Sequence, residues 1–291
     1  MSGSAETRRP DRLALAHMWV GFALFGVATL LGLYQLLERD QVVPANAAGY
    51  YGSVTLHGVV QAFVLTTFFI VGFGFVVSAT SLRRPLRWPG LAWLGFWTML
   101  IGSLIAAFSI ASGRATILYT FYPPMIAHWS FYVGAALLLV GSIPWIVITI
   151  AMTLGWKKEN PGRPVPLPQF GMTANAILWS WTLVGVVVEV VFQLLPASLG
   201  LTQTVDVGLA RALFAWTLHP IVYLWLIPAY VALYSIVPKA AGGYLFSDEM
   251  GRVVFVMLLV FSLPIGLHHV FVDPEQAAGW KLAHSFGTFL V

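Results

Sequence analysis

Long apolar runs separated by short polar connectors set the pattern of this chain. About 20 consecutive apolar residues suffice to cross ~30 Å of hydrocarbon as a helix. By that measure the pattern predicts spans at Leu13–Leu37, Tyr50–Ala79, Leu91–Ala111, Met125–Leu154, Phe170–Leu195, Leu209–Val237 and Gly251–Val272. An eighth run begins at Trp280 and reaches Val291, twelve residues, or about 18 Å of helix at 1.5 Å per residue. The expected fold class is therefore all-α: a polytopic transmembrane helix bundle with seven complete spans plus the start of an eighth. The connectors are short, only Pro161–Pro168 is proline-rich, and no internal repeat is visible, so residues 1–291 are expected to form a single membrane domain. The first run is longer than the roughly 7–15 residues of a secretory signal core, so it reads as an uncleaved helix. A terminal carboxylate at membrane depth is costly, and the chain reads as the N-terminal part of a longer polytopic protein.

Composition agrees with the pattern. The 291 residues are 59% hydrophobic and 9% charged, against roughly 25% charged in soluble domains. That excludes a water-soluble enzyme. Cysteine is absent, which excludes disulfides, thiolate metal sites, iron–sulfur clusters and cysteine nucleophiles. The net charge of +4 does not suggest a nucleic-acid partner, because the basic residues are scattered between apolar blocks. Eleven of the 15 Lys and Arg residues fall in the N-terminal segment and in the connectors after the second, fourth and sixth runs. The positive-inside rule then places the N-terminus in the cytoplasm, in a multi-pass protein of a prokaryotic cell membrane.

An ionisable residue inside a bilayer is a functional candidate, since its burial must be offset by a partner or a cavity. His219 lies about ten residues into the sixth run, and His268 and His269 close the seventh, so all three imidazoles fall in the outer half. Three neutral imidazoles suit copper, zinc or iron; alternatively, the adjacent pair snorkels to the interface. Tyr223 follows His219 on the same helical face, and Tyr230 and Tyr234 continue that stripe inward, either as a hydroxyl relay for protons or as aromatic packing. His57, next to Gly58, stands at similar depth. It is either an axial haem ligand, with the glycine admitting a flat macrocycle, or a hydrogen-bonded core residue. Glu189 is the one carboxylate deep in a span, and it either carries protons or pairs with a partner. His17, His128 and His284 read as interfacial or structural.

The run Trp216-Thr217-Leu218-His219-Pro220-Ile221-Val222-Tyr223, followed by Trp225-Leu226 and Pro228-Ala229-Tyr230, resembles the sixth helix of haem–copper oxidase subunit I. Leu56-His57-Gly58, Tyr119–Pro124, Ala241-Gly242-Gly243, His268-His269 and Asp273-Pro274 match in the same order. Ile221 stands where mitochondrial-type members carry Glu, which points to the B family of cytochrome ba-type cytochrome c oxidases. The resemblance implies that His57 is an axial ligand of a low-spin haem, that His219, His268 and His269 hold the copper CuB, and that Tyr223 is the redox tyrosine cross-linked to a copper-ligand imidazole. It implies proton uptake along Tyr230 and Tyr234; Glu189, by its depth in a span alone, is a further proton-path candidate. It also implies a terminal respiratory oxidase reducing dioxygen to water with electrons from cytochrome c, coupled to proton translocation.

The family's later His-x-His is absent here. The high-spin haem ligand and the second low-spin ligand are thus missing from this chain, which is expected to be inactive alone. A subunit II carrying the two-copper entry centre is the implied partner. The alternatives are a nitric oxide reductase of the same superfamily, against which Tyr223 argues, and a non-catalytic membrane fragment. A bis-His cytochrome b would need paired histidines thirteen or fourteen residues apart, and positions 70 and 71 are Ile and Val. A retinal protein would need a mid-membrane lysine, whereas Lys281 lies at a boundary.

Overall fold

The computed structural model describes residues 8–263, 266–274 and 276–290, and every described element is helical. Among the described residues six helices are long and apolar enough to cross a membrane: α1 (8–39, apolar from Arg12 to Arg39), α2 (Ala47–Ser81), α3 (Pro89–Ala111), α4 (Trp129–Glu159), α5 (Leu167–Ser198) and α6 (Val207–Ala240). The expected seventh span takes another form. It is a 15-residue helix, α7 (Asp248–Ser262), followed by a 3₁₀ turn at Gly266–Val270. Fifteen residues rise about 22 Å, short of the ~30 Å core, and the sequence carries Pro264, without an amide donor, just past the helix end. A 13-residue helix, α8 (Ala278–Leu290), stands where the eighth run begins.

Helix starts follow from local chemistry. The Asn46 side chain accepts from the Gly49 amide, Asp206 from Leu209 and Ser247 from Met250, each satisfying one of the amides left free in a first turn. Pro89 opens α3, where a missing amide costs nothing. Two helices depart from regular geometry in a way that periodicity did not signal. Val60–Leu65 in α2 and Val190–Leu194 in α5 are π turns, and each begins just after a candidate residue, His57 in one case and Glu189 in the other. Such one-turn expansions are common at functional sites.

Sequential helices pair as antiparallel hairpins, most extensively α3 with α4 and α5 with α6. The first pair approaches through small residues: a Cβ added at Gly102 would lie 2.6 Å from the Gly134 carbonyl, and one at Gly95 would lie 2.7 Å from that of Gly141. Close backbone approach through small residues is the usual solution where lipid removes the hydrophobic drive for association. Polar groups lace the interior. The Trp179 indole donates to Ser142 Oγ at 2.7 Å, and Thr217 Oγ1 both accepts from the Val186 amide and donates to the Thr182 carbonyl, each at 2.8 Å. The connector between α3 and α4 folds back over the N-terminal ends of α2 and α6. The Leu118 amide donates to Thr55 Oγ1, and Phe121 packs against Phe63, Phe131 and Phe214.

Candidate metal centre

His219 projects from the middle of α6 and is buried, and its Nε2 has no hydrogen-bond partner among the described residues. The 3₁₀ turn Gly266–Val270 lies against it. Gly266 sits so close to the Ala215 carbonyl that a side chain there would collide with the α6 backbone. This apposition brings His268 and His269 over His219, with ring centroids 4.4 and 5.7 Å away and 4.3 Å from each other. One ring nitrogen from each of the three lies within 4.8 Å of the other two. Bonds of ~2.0–2.1 Å to one metal would place ligand nitrogens about 3.3–3.6 Å apart, so a small inward movement closes the set. Among the described residues no carboxylate joins this group.

The tautomer of His268 follows from its neighbour. Thr288 Oγ1 donates its single proton to the His284 carbonyl at 2.7 Å. At 3.1 Å from His268 Nδ1 it therefore accepts, which makes Nδ1 the protonated nitrogen and leaves Nε2 with its lone pair. An outer partner that fixes ring orientation and tautomer is what metal-binding histidines generally require. Sequence reasoning missed Thr288, which lies in the segment taken only as the start of a helix. His284, given no role, is buried beside it.

Tyr223 lies one turn further along α6 from His219, with ring centroids 5.0 Å apart and an edge-on contact. Tyr230 and Tyr234 continue along α6 with their centroids 6.1 Å apart. No direct hydrogen bond joins the three phenols among the described residues, so a proton relay along them needs intervening water.

His57 is not part of the three-histidine group. It faces α1, where Nδ1 donates to the Ala28 carbonyl at 2.7 Å; a carbonyl only accepts, so the lone pair is on Nε2. Gly32, one turn from Ala28, makes room for the ring: a Cβ there would lie 3.1 Å from His57 Cε1. Gly58 packs its backbone on Tyr119 of the α3–α4 connector, whose Cβ lies 2.9 Å from where a Cβ of residue 58 would be.

Glu189 is buried, and both carboxylate oxygens lack a partner among the described residues. Its depth can be read from the lacing of α5 on α6. Asn175 Nδ2 donates to the Leu224 carbonyl and Thr217 Oγ1 to that of Thr182, so Glu189 is level with residue 210, about 13 Å along α6 from His219. Tyr230 and Tyr234 are about 16 and 22 Å away in the opposite direction. Glu189 therefore stands on the other side of the histidines from the tyrosine stripe. Nearby, Arg211 pairs bidentately with Asp273 at 2.7 and 2.8 Å and lies over the Tyr122 ring. Burial pushes the Tyr122 phenol above the usual tyrosine range, with Arg211 opposing. Of the remaining histidines, His17 is in the apolar core and not at an interface, held by Leu13 and ringed by Phe68, Phe75 and Phe96. His128 caps α4.

Comparison with known proteins bears on the whole of this arrangement. The family described as cytochrome C and quinol oxidase polypeptide I matches residues 12–291. Cytochrome c oxidase subunit 1 of Thermus thermophilus is 40% identical over 97% of the chain and 52% of its own length. The haem–copper oxidase subunit I+III of Aeropyrum pernix is 24% identical over 91% of the chain and 34% of its length. A solved heme-copper terminal oxidase dimer superposes with a TM-score of 0.92 at 44% identity, over 96% of this chain and 49% of that one. The chain spans about half the length of these two closer relatives. With a family match running from Arg12 to the last residue and helices that superpose over nearly all of its length, this multi-pass membrane chain belongs to the cytochrome c and quinol oxidase polypeptide I family.

Proposed function

We propose that this chain contributes the copper-binding half of the dioxygen-reducing centre of a terminal respiratory oxidase, with cytochrome c as electron donor and a subunit II carrying the two-copper entry centre. The observation that carries the reading is the meeting of His219, His268 and His269 within 4.8 Å, beside Tyr223. The donor set fits copper: three neutral imidazoles, joined among the described residues by no carboxylate, one with a buried, unpartnered Nε2 and one with its tautomer set by Thr288. His57, with Nδ1 committed to Ala28, is assigned as an axial ligand of the low-spin haem. The second low-spin ligand and the high-spin haem ligand come from outside these 291 residues. Copper and haem, when bound, supply the electron transfer to dioxygen.

The chain's own residues handle protons and exclude water. Tyr223, one turn from the copper ligand His219, holds a phenolic proton and an electron next to the reacting atoms. Tyr230 and Tyr234 lead from the side where the basic connectors cluster, which the positive-inside rule makes cytoplasmic, and with bridging waters they replace that proton. Glu189, on the far side of the histidines, holds a proton on the outward side. In this reading the chain crosses the membrane a seventh time through α7 and the 3₁₀ turn together. Tyr223 beside His219 disfavours the nitric oxide reductase alternative. Copper titration of the purified chain in detergent, followed by X-ray absorption spectroscopy, tests the assignment. One copper per chain with three imidazole nitrogens is expected, lost in His219→Ala. Undiminished binding in that variant would overturn it.

A further inference from the structure

The connector between α2 and α3, Leu82-Arg83-Arg84-Pro85-Leu86-Arg87-Trp88, plays no part in the metal centre. With the last turns of α4 it borders an open cavity of about 450 Å³, lined by Arg83, Arg84, Arg87, Gly155 and Glu159 among others. Three guanidinium groups against one carboxylate leave the cavity with an excess of two positive charges. Arg84 pairs with Glu159 through Nη2 at 2.8 Å, yet its Nε is buried and has no partner. Among the described residues neither Arg83 nor Arg87 has an ion-pair partner. The backbone holds them there at some cost: Arg83 and Trp88 both adopt left-handed conformations, φ 52 and 50, which non-glycine residues rarely take and which persist only where surrounding structure imposes them.

We infer that this cavity binds the phosphate of an anionic phospholipid headgroup. Arginine is suited to it, because a planar guanidinium meets two phosphate oxygens at once. The surroundings are those of a membrane interface. Trp88 is exposed beneath the Arg87 guanidinium, 4.2 Å from its ring centroid, an amphipathic ring of the type that settles at headgroup level. From Gly155 a stripe of exposed apolar side chains, Leu154, Val147, Ile143 and Val140, descends the outer face of α4. It offers a track for an acyl chain below a headgroup held by the arginines. Basic pockets between helix ends at a membrane surface bind anionic headgroups in this way. Glu159, largely exposed, is the internal anion that a phosphate would displace from Arg84.

Native mass spectrometry of the purified chain in detergent, titrated with phosphatidylglycerol, phosphatidylcholine or inorganic phosphate, tests the inference. Phosphatidylglycerol should be retained at least tenfold more tightly than phosphatidylcholine, which carries the same phosphate but no net charge. Arg84→Gln with Arg87→Gln should weaken it about 25-fold, at about fivefold per arginine. Glu159→Gln should strengthen it severalfold, a gain that misfolding cannot produce. Equal retention of the two lipids, undiminished binding in the double variant, or weaker binding in Glu159→Gln would each overturn the proposal. Displacement of phosphatidylglycerol by millimolar inorganic phosphate would overturn the lipid assignment in favour of a free-phosphate site.

Discussion

Gly32→Ala tests whether His57 is held for ligation by α1. Ala28 and Gly32 lie one turn apart on the same face of α1, the first accepting the Nδ1 proton at 2.7 Å and the second bare beneath the ring. A Cβ at position 32 would stand 3.1 Å from Cε1 and 3.4 Å from Nδ1, against about 3.5–4.0 Å for comfortable contact. The ring must yield by a few tenths of an ångström, yet Nδ1 is tethered on the same side. The yield therefore comes from the hydrogen bond, which stretches towards the ~3.2 Å limit. An intramolecular hydrogen bond is worth a net ~1 kcal/mol, and outright loss of an outer partner typically costs about 10–100-fold in metal affinity. Partial stretching should then cost about 3–10-fold in haem affinity.

Stability should move the other way, because alanine in a helix interior gains up to ~1 kcal/mol over glycine. A loss of haem in Gly32→Ala thus cannot be ascribed to unfolding. Gly26→Ala, on the same helix with nothing within 4 Å of the added carbon, is the matched control: equal gain in helix propensity, no change in haem. Haem reconstitution of the assembled oxidase, which supplies the second axial ligand, read at the low-spin band, measures the affinity in both variants. Haem affinity in Gly32→Ala within twofold of the parent, with an unshifted band, would refute the argument.

Thr288→Val removes the acceptor of the His268 Nδ1 proton and should weaken copper about 10–100-fold with helix content unchanged, as read by competition with a chelator of known affinity. Tyr223→Phe should leave copper content intact and abolish dioxygen reduction in the assembled oxidase; near-normal turnover on an oxygen electrode would reduce Tyr223 to packing. Thr217→Val strands the buried Val186 amide and should cost about 1–3 kcal/mol in denaturation of the detergent-solubilised chain. Gly102→Ala forces a carbon to within 2.6–2.7 Å of the α4 backbone and should cost a similar ~1–3 kcal/mol, where Gly26→Ala costs nothing.

What could be read from the amino-acid order alone divides by the range of the interaction responsible. The six long spans were legible because hydrocarbon imposes its condition residue by residue: an apolar run of sufficient length needs no partner to announce itself. The seventh run meets the same composition test, but its described helix breaks off at Ser262 and a 3₁₀ turn stands at Gly266–Val270. That break is also what serves the metal site. A continuous helix would splay two adjacent side chains by ~100°, whereas the turn lying on α6 at Ala215 presents both His268 and His269 to His219. The depth argument found the three imidazoles because ionisable groups in lipid are rare enough to be conspicuous. It could not find Ala28, Gly32 or Thr288, which are ordinary membrane-helix residues; they matter only through partners 29 and 20 positions away in the case of Ala28 and Thr288. The ligands are therefore visible as chemistry, while the atoms that aim them are visible only as packing. Substitutions at the second group should shift affinity by factors of ten and leave the identity of the site unchanged.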